Sequence, residues 1–339
     1  MDKFNLFWPI YEDLENEVIK LTKYIDFTDE QLKVYSVHIG NLIIRCAVEI
    51  EAISKKLYEN FGGNMHLLDN DGKERKLYFD TDCLEFLDEK LLLSKKQIMI
   101  TSSKMYFSDD KRYLKPLHKS NKRGSSGSKW KKAYQAIKHD RNHSIKYATI
   151  ENLLNSLGAL YILNLFYKNE TIRLYDWAKD SKSNVRANSI IFSVCIYHAT
   201  KINMNLNMGD NSIIRFASED MDESIYIVKI DDDSFKDMFR KYKEDYEYGL
   251  KVFCSDEGFK KFKYEYMQGC GEIFRNKTKV QVAKLWGDVN IVTQYSNHSC
   301  FDIFRNVKCE AVLNLNMNIY PQLGENITNI PQPGIEAVF

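Results

Sequence analysis

The sequence predicts an α+β protein, in which an N-terminal all-α helical bundle is followed by a C-terminal mixed α+β domain with a mainly antiparallel sheet. Apolar residues recur at three- and four-residue spacing as far as residue 168, which is the period of helices with one buried face. After Asn169 the apolar segments become short and rich in β-branched and aromatic residues, as in strands. Because 339 residues suffice for two domains, we predict a helical domain over 1–170, a linker over 171–188 and an α+β domain over 189–339.

The longest predicted helix begins at Thr28, where Thr28 and Gln31 form a capping-box pattern, and it ends before Gly62-Gly63. The polar residues 64–79 contain Asp71-Gly72 and predict a turn. Residues 82–95 and 97–107 predict shorter helices or extended segments.

Two more helices are predicted after the small-residue loop at 121–128. Ser128 is positioned to cap the first, whose inner face carries Trp130, Ala133, Tyr134 and Ile137. A break at 140–143 leads to the second, over 147–167. This helix contains the most apolar window of the chain, which is too short and too polar to cross a bilayer and therefore predicts a buried helix.

Strands are predicted in the second half at 190–197, 213–216, 225–230, 250–253, 280–283, 289–293 and 311–315. A helix capped by Ser234 lies among them, residues 257–267 predict a second helix, and prolines mark an irregular C-terminal tail.

Composition and the first residues exclude several classes of protein. With 44% hydrophobic residues and a net charge of +1, the chain is neither disordered nor strongly basic overall. Its start lacks the basic and long apolar segments of a secretory signal, and its seven cysteines show no metal-ligand spacing. We therefore expect a cytoplasmic protein with reduced, mostly buried thiols, no membrane association, no cofactor and no metal.

The strongest local signal is a basic region at 115–146, in which ten Lys or Arg stand against the single acid Asp140. Such cations suit contact with phosphates, although a solvated lysine face has the same composition. Its loop glycines do not have the spacing of a nucleotide-binding P-loop. The predicted nucleic-acid-binding residues are Lys119, Lys122, Arg123, Lys129, Lys131, Lys132 and Lys146.

Two imidazoles and two cations lie close together within this region, at Lys138, His139, Arg141 and His143. Either histidine can act as a general base at neutral pH, while the cations stabilise a pentacoordinate phosphate, as metal-independent RNA cleavage requires. A polar turn between helices is the alternative interpretation.

A polar stripe runs along the long first helix and consists of His38, Asn41, Arg45 and Glu49. Apolar residues flank it on both sides, so we expect it to be partly buried against another element or a second subunit. The spacing of Arg45 and Glu49 also allows them to pair with each other.

Three segments resemble the helical HEPN-like proteins of bacterial defence and toxin systems. They read GNLIIRCAVEIEAISKKLY at 40–58, WKKAYQAIKHDR at 130–141 and ATIENLLNSLGALYIL at 148–163. The resemblance covers about residues 28–168. It implies an all-helical domain that forms a homodimer around a shared cleft and a metal-independent endoribonuclease activity.

The family motif is an Arg followed after four to six residues by a His, with a polar or acidic residue on an earlier helix. The resemblance therefore implies roles for Arg141 and His143, and for Glu49 and Arg45 as the earlier polar residues. In this chain His143 follows Arg141 by only two positions, which is shorter than the family spacing.

Two patterns in the second half leave alternatives open. Asp231-Asp232-Asp233 either holds a divalent metal or forms a solvated turn before a helix. Lysines interleave with tyrosines that either stack nucleic-acid bases or belong to a core, namely Tyr242, Tyr246, Tyr248, Tyr264 and Tyr266.

The combined prediction is an RNA-binding protein of anti-phage defence or toxin type that cleaves RNA without a metal. The alternative is a non-catalytic, dimerising module that binds nucleic acid or protein. The C-terminal domain is predicted to act as a sensor or to bind a partner.

Overall fold

The computed structural model describes residues 5–174, 189–198, 218–230 and 308–316, with single residues between 233 and 244. Its α-helices are α1 (Phe7–Leu21), α2 (Val37–Asn60), α3 (Glu85–Leu91), α4 (Asp109–Arg112), α5 (Lys129–His139), α6 (Arg141–Ser144), α7 (Ile150–Lys168) and α8 (Ser218–Glu223). Its strands are β1 (Phe27–Thr28), β2 (Leu67–Leu68), β3 (Glu74–Arg75), β4 (Ile98–Ile100), β5 (Met105–Tyr106), β6 (Tyr113–Leu114), β7 (Ile172–Leu174), β8 (Phe192–Val194), β9 (Ile196–His198), β10 (Tyr226–Ile230) and β11 (Cys309–Leu313). The predicted α+β class is confirmed.

The long helices form the centre of the described structure. Helix α2 packs against α1, α5 and α7, and α7 also contacts α1 and α5. From Leu153 to Phe166, every side chain of α7 except that of Asn155 is buried, which confirms the predicted buried helix. No helix in the part of the chain that the structure describes has the length and apolar character needed to span a bilayer.

Helix α2 begins later than predicted. Its N-cap is Ser36, whose hydroxyl accepts a hydrogen bond from the Ile39 N–H at 3.1 Å. Thr28 is instead part of β1, where it pairs with Tyr106 of β5. The predicted start was wrong because this strand pairing holds the Thr28 backbone in an extended form. The predicted end is confirmed, since α2 stops at Asn60 and the following Gly62 adopts a φ of +83°.

The described strands form small sheets. A four-stranded sheet has the order β7-β11-β10-β9, with only the β10–β9 pair parallel, and a three-stranded antiparallel sheet has the order β6-β4-β8. Strands β2 and β3 form a hairpin around the predicted turn, and β1 pairs with β5 in parallel. The predicted strands at 190–197, 225–230 and 311–315 are confirmed by β8 with β9, β10 and β11.

Several predictions fall on residues that the structure does not describe. These are the strands at 213–216, 250–253, 280–283 and 289–293, the helix at 257–267 and the C-terminal tail. The limits of the two predicted domains stay predictions.

A buried hydrogen-bond network ties α1 to the chain that follows the predicted linker. The carboxylate of Glu15 accepts bonds from the Tyr11 hydroxyl at 2.8 Å, the Ile191 N–H at 3.0 Å and the Ser189 hydroxyl. Strand β8 then pairs with β4, with Phe192 opposite Ile100. Residues on both sides of the predicted linker therefore share one sheet and one hydrophobic core.

Candidate nucleic-acid interface

The structure brings the polar stripe of α2 together with the histidine- and arginine-rich turn after α5. Arg141 Nη1 donates a hydrogen bond to Asn41 Oδ1 at 3.1 Å. Gly40 allows α2 to lie close to the segment between α6 and α7, because a Cβ at Gly40 would lie 3.3 Å from the Ala148 Cβ and 3.5 Å from Ile145 Cδ1. We call this combined surface the composite site. Its members are His38, Asn41, Arg45, Glu49, Lys138, His139, Arg141 and His143.

The imidazole of His143 is oriented by Asp140. The Asp140 carboxylate oxygens lie 2.9 and 3.1 Å from His143 Nδ1, and Oδ1 also accepts from the His143 N–H at 3.3 Å as the N-cap of α6. A carboxylate only accepts hydrogen bonds, so Nδ1 carries a proton, and in the neutral imidazole Nε2 has the lone pair. Asp140 was not predicted as a site residue. The sequence feature that could have identified Asp140 is its position three residues before His143, at the start of a helix.

The stripe on α2 lies at the protein surface beside α1. Arg45 Nη2 bonds to Asp13 Oδ2 at 2.7 Å, and His38 Nε2 lies 3.9 Å from Glu17 Oε2. Arg45 therefore pairs with α1 and not with Glu49, although Arg45 and Glu49 share one face of α2. The carboxylate of Glu49 has no hydrogen-bond partner among the described residues. Its partial burial raises the pKa of its carboxyl above the ordinary value, against a smaller opposite effect of Arg45.

Lys138 and His139 occupy the last turn of α5, where the helix dipole favours positive charge. Lys138 Nζ donates to the Tyr134 hydroxyl at 3.2 Å, and that hydroxyl donates to Glu51 Oε1 at 3.1 Å. The bond to Tyr134 raises the pKa of Lys138. His139 is exposed.

Earlier in the basic region, Arg123 and Lys131 converge on one buried carboxylate. Asp80 Oδ1 accepts from Arg123 Nη2 at 2.7 Å, and Asp80 Oδ2 accepts from Lys131 Nζ at 3.2 Å. Lys131 Nζ also donates to the carbonyl of Ser120 at 2.9 Å and to that of Lys122. Burial raises the pKa of Asp80, but the hydrogen bonds it accepts outweigh burial and hold the pKa below its ordinary value.

Lys131 is therefore a structural residue. Its side chain is only 5% exposed, and burial lowers its pKa despite the attraction of Asp80. The contact of Lys131 with nucleic acid stays a prediction, and the buried position of its ammonium group does not favour it. Asp80 was not predicted as the partner of Lys131, because it lies 51 residues away in the chain, in a π-helical turn at Phe79–Leu84.

Other cations of the basic region pair with acids at the surface. Lys122 bonds to Glu85 at 3.1 Å, Lys129 to Glu151 at 3.1 Å and Lys115 to Glu223 at 2.5 Å. Lys132 Nζ donates to the carbonyl of Ser125 at 3.2 Å. The exposed cations with no acidic partner among the described residues are Lys119, Lys132, Lys138, Arg141 and Lys146.

The remaining candidates give no further site. Asp231, Asp232 and the tyrosines predicted to stack bases, Tyr242 to Tyr266, lie outside the described residues. Among the residues that are described, no cluster of His, Cys, Asp and Glu could hold a metal ion. Cys46 and Cys83 are free and buried, as predicted for these thiols, and burial raises the pKa of each to about 12.

No family model matches the chain, and no match was found among curated proteins or solved structures. The resemblance to HEPN-like proteins therefore stays a prediction. The arrangement of side chains at the composite site is therefore the basis on which a function is proposed.

Proposed function

We propose that the protein is a HEPN-like, cytoplasmic RNA-binding protein of bacterial defence or toxin type that cleaves RNA at the composite site without a metal. The contact between Arg141 and Asn41 carries this proposal. It brings to α2 a guanidinium that has no acidic partner among the described residues, two positions before His143, whose imidazole is oriented by Asp140. Phosphate recognition and proton transfer can therefore act on the same ribonucleotide.

In the proposed reaction, Nε2 of His143 takes the proton of a ribose 2′-hydroxyl. The 2′ oxygen then attacks the adjacent phosphorus, and the bond from phosphorus to the 5′ oxygen breaks. The products are a 2′,3′-cyclic phosphate and a 5′ oxygen that takes up a proton. Arg141 and Lys138 stabilise the charge on the pentacoordinate phosphorus, and His139 at the end of α5 is the alternative base.

The helical arrangement supports the HEPN-like part of the proposal. The three resembling segments coincide with α2, with α5 and with α7, and these three helices pack against one another. The proposal includes a homodimer formed through this helical part of the chain.

The second candidate is a non-catalytic module that dimerises through α2. Exposed apolar side chains flank the polar stripe, and Val37 and Val48 are 58% and 49% exposed. A second copy would cover this mixed face, and the cations nearby would then hold nucleic acid or a protein without turnover.

A cleavage assay on total RNA and tRNA in the presence of EDTA tests the first candidate against the second. We expect wild type to cleave, and Arg141→Ala and His143→Ala each to lower the rate by about 10²- to 10⁴-fold. The matched control is His66→Ala, because His66 is an exposed imidazole bonded to Glu74 at 2.8 Å on the β2–β3 hairpin. RNA binding without any cleavage by wild type would refute the enzyme and favour the binding module.

A further inference from the structure

Two exposed tyrosines stand beside the composite site, Tyr35 before α2 and Tyr147 shortly before α7. They are 53% and 47% exposed. Tyr35 forms an isolated antiparallel bridge with Thr149, and the Ile150 N–H donates to the Val34 carbonyl at 3.1 Å. These backbone contacts hold the two tyrosine-bearing segments side by side.

The same segments carry positive charge. Lys146 Nζ lies 5.5 Å from the centre of the Tyr147 ring, and Lys146 has no acidic partner among the described residues. Arg141 and His143 precede Lys146 in the same short stretch, and His38 lies in the first turn of α2, close behind Tyr35. Exposed aromatic rings therefore lie on the same segments as groups that can bind phosphates.

We propose that Tyr35 and Tyr147 form a stacking platform for the bases of single-stranded RNA, whose phosphates are held by Lys146 and Arg141. The proposal rests on the proposed RNA binding and adds the strandedness of the RNA. Bases in a duplex are stacked on each other, so their faces are covered. Only a single strand offers base faces to exposed aromatic rings beside cations.

Binding of a short, fluorescently labelled 2′-O-methyl oligouridine tests the platform, because this RNA lacks the hydroxyl needed for cleavage. We expect wild type to bind it more tightly than an RNA duplex of equal length. Tyr35→Ala with Tyr147→Ala should weaken binding at least about tenfold, and Phe at both positions should restore it because the ring is retained. Tyr113→Ala is the matched control, since Tyr113 is 49% exposed on strand β6.

The dependence on salt separates stacking from charge. The two Tyr→Ala changes should leave the slope of log affinity against log salt unchanged. Lys146→Gln should reduce this slope by the amount that corresponds to about one phosphate contact. Thermal melting establishes that each variant is folded, and Tyr147→Ala alone replaces the double variant if that variant is unfolded.

Several outcomes would overturn the platform. The platform proposal fails if the folded Ala variant binds with wild-type affinity, if the Ala and Phe variants weaken binding equally, or if wild type prefers the duplex. In each of these cases the proposed RNA binding itself still stands. Loss of a dimer in sedimentation by the Ala variant, with unchanged affinity per protomer, would assign the tyrosines to an interface between copies. If wild type binds no RNA, the proposed function itself fails.

Discussion

The basic region contains two stretches that are alike in sequence and different in structure. Before residue 132, most cations are matched by carboxylates from other elements, as Asp80 matches Arg123 and Lys131. From residue 132 onward, the described structure gives the lysines and Arg141 no acidic partner. The first stretch therefore contributes to the fold, and the second is available to a ligand. A charge excess in sequence does not measure surface charge, because the neutralising acids come from distant positions.

The aspartates that bond to the two stretches make the sharpest comparison. Asp80 is buried and bonds to two cations, whereas Asp140 is exposed and bonds to His143. We expect substitution of the first to change stability and substitution of the second to change activity.

The largest expected effect is that of Asp80→Asn, which leaves the ammonium of Lys131 buried without a carboxylate. We expect the free energy of unfolding to fall by about 3 kcal/mol in urea denaturation at neutral pH. Because the folded-state pKa of Asp80 lies below its ordinary value, its stabilisation is present above that ordinary value and is lost as the pH falls through the folded-state pKa. Glu85→Gln, which breaks the exposed pair with Lys122, should cost less than about 1 kcal/mol. Equal costs would contradict the comparison.

A second buried lysine lacks the carboxylate that Lys131 has. Lys96 is fully buried, and its Nζ donates to the Asp222 carbonyl at 3.1 Å, while the Asp222 carboxylate bonds to Lys95 at 2.6 Å. Burial lowers the pKa of Lys96 to about 7, against the smaller attraction of Asp222.

Between pH 7 and the ordinary lysine pKa, the unfolded chain therefore binds more protons at Lys96 than the folded chain does. Stability from this group should rise by roughly 2 kcal/mol from pH 7 to pH 9. The measurement is the difference in unfolding free energy between wild type and Lys96→Met, in which the titration of the thiols cancels. A difference that is constant with pH would mean that Lys96 keeps its proton.

Asp140→Asn tests the exposed stretch. Asparagine is also a good N-cap, so stability should change by less than about 0.5 kcal/mol. Asparagine can also accept through its side-chain oxygen, but it lacks the charge that stabilises a protonated imidazole, so we expect RNA cleavage to slow about tenfold. Nitrogen NMR of His143 should show the Nδ1–H form in wild type, which is a readout that does not depend on cleavage. A loss of stability comparable to that of Asp80→Asn would remove the distinction between the two aspartates.

The smallest effect is expected for Lys131 and Lys132, which lie on either side of the boundary between the two stretches of the basic region. Lys132→Gln should weaken binding of oligouridine a few-fold and lower its salt slope by about one contact. Lys131→Met should leave both unchanged, because Lys131 is buried and Asp80 still pairs with Arg123. Equal losses of affinity with both proteins folded would show that the ammonium of Lys131 reaches the nucleic acid.

Periodicity predicted those parts of the fold that depend on local patterns. The inner face of α5 is buried as expected at Trp130, Tyr134 and Ile137, and β10 lies where its β-branched residues predicted it. Helix α1 was not predicted, and its buried face includes the polar Glu15. The start of α2 was misplaced because the pairing of Thr28 with Tyr106 is a contact between residues far apart in the chain.

The residue pattern predicted the candidate site as two separate clusters, and before the structure only the resemblance to HEPN-like proteins implied that they act together. Nothing in the sequence indicates that Arg141 meets Asn41, which lies 100 residues away. The partners of Arg45 and Lys131 were hidden for the same reason, because Asp13 and Asp80 belong to other elements. Asp140 is the exception, since its spacing to His143 is local.

The network around Glu15 determines how the chain can be shortened. A fragment ending at residue 170 would keep Glu15 in the core without the Ser189 hydroxyl and the Ile191 N–H, and it would expose the edge of β4. A buried carboxylate that keeps only the Tyr11 hydroxyl as a donor and an open strand edge both favour aggregation of such a fragment. Expression of the helical part by itself should therefore extend through Val194.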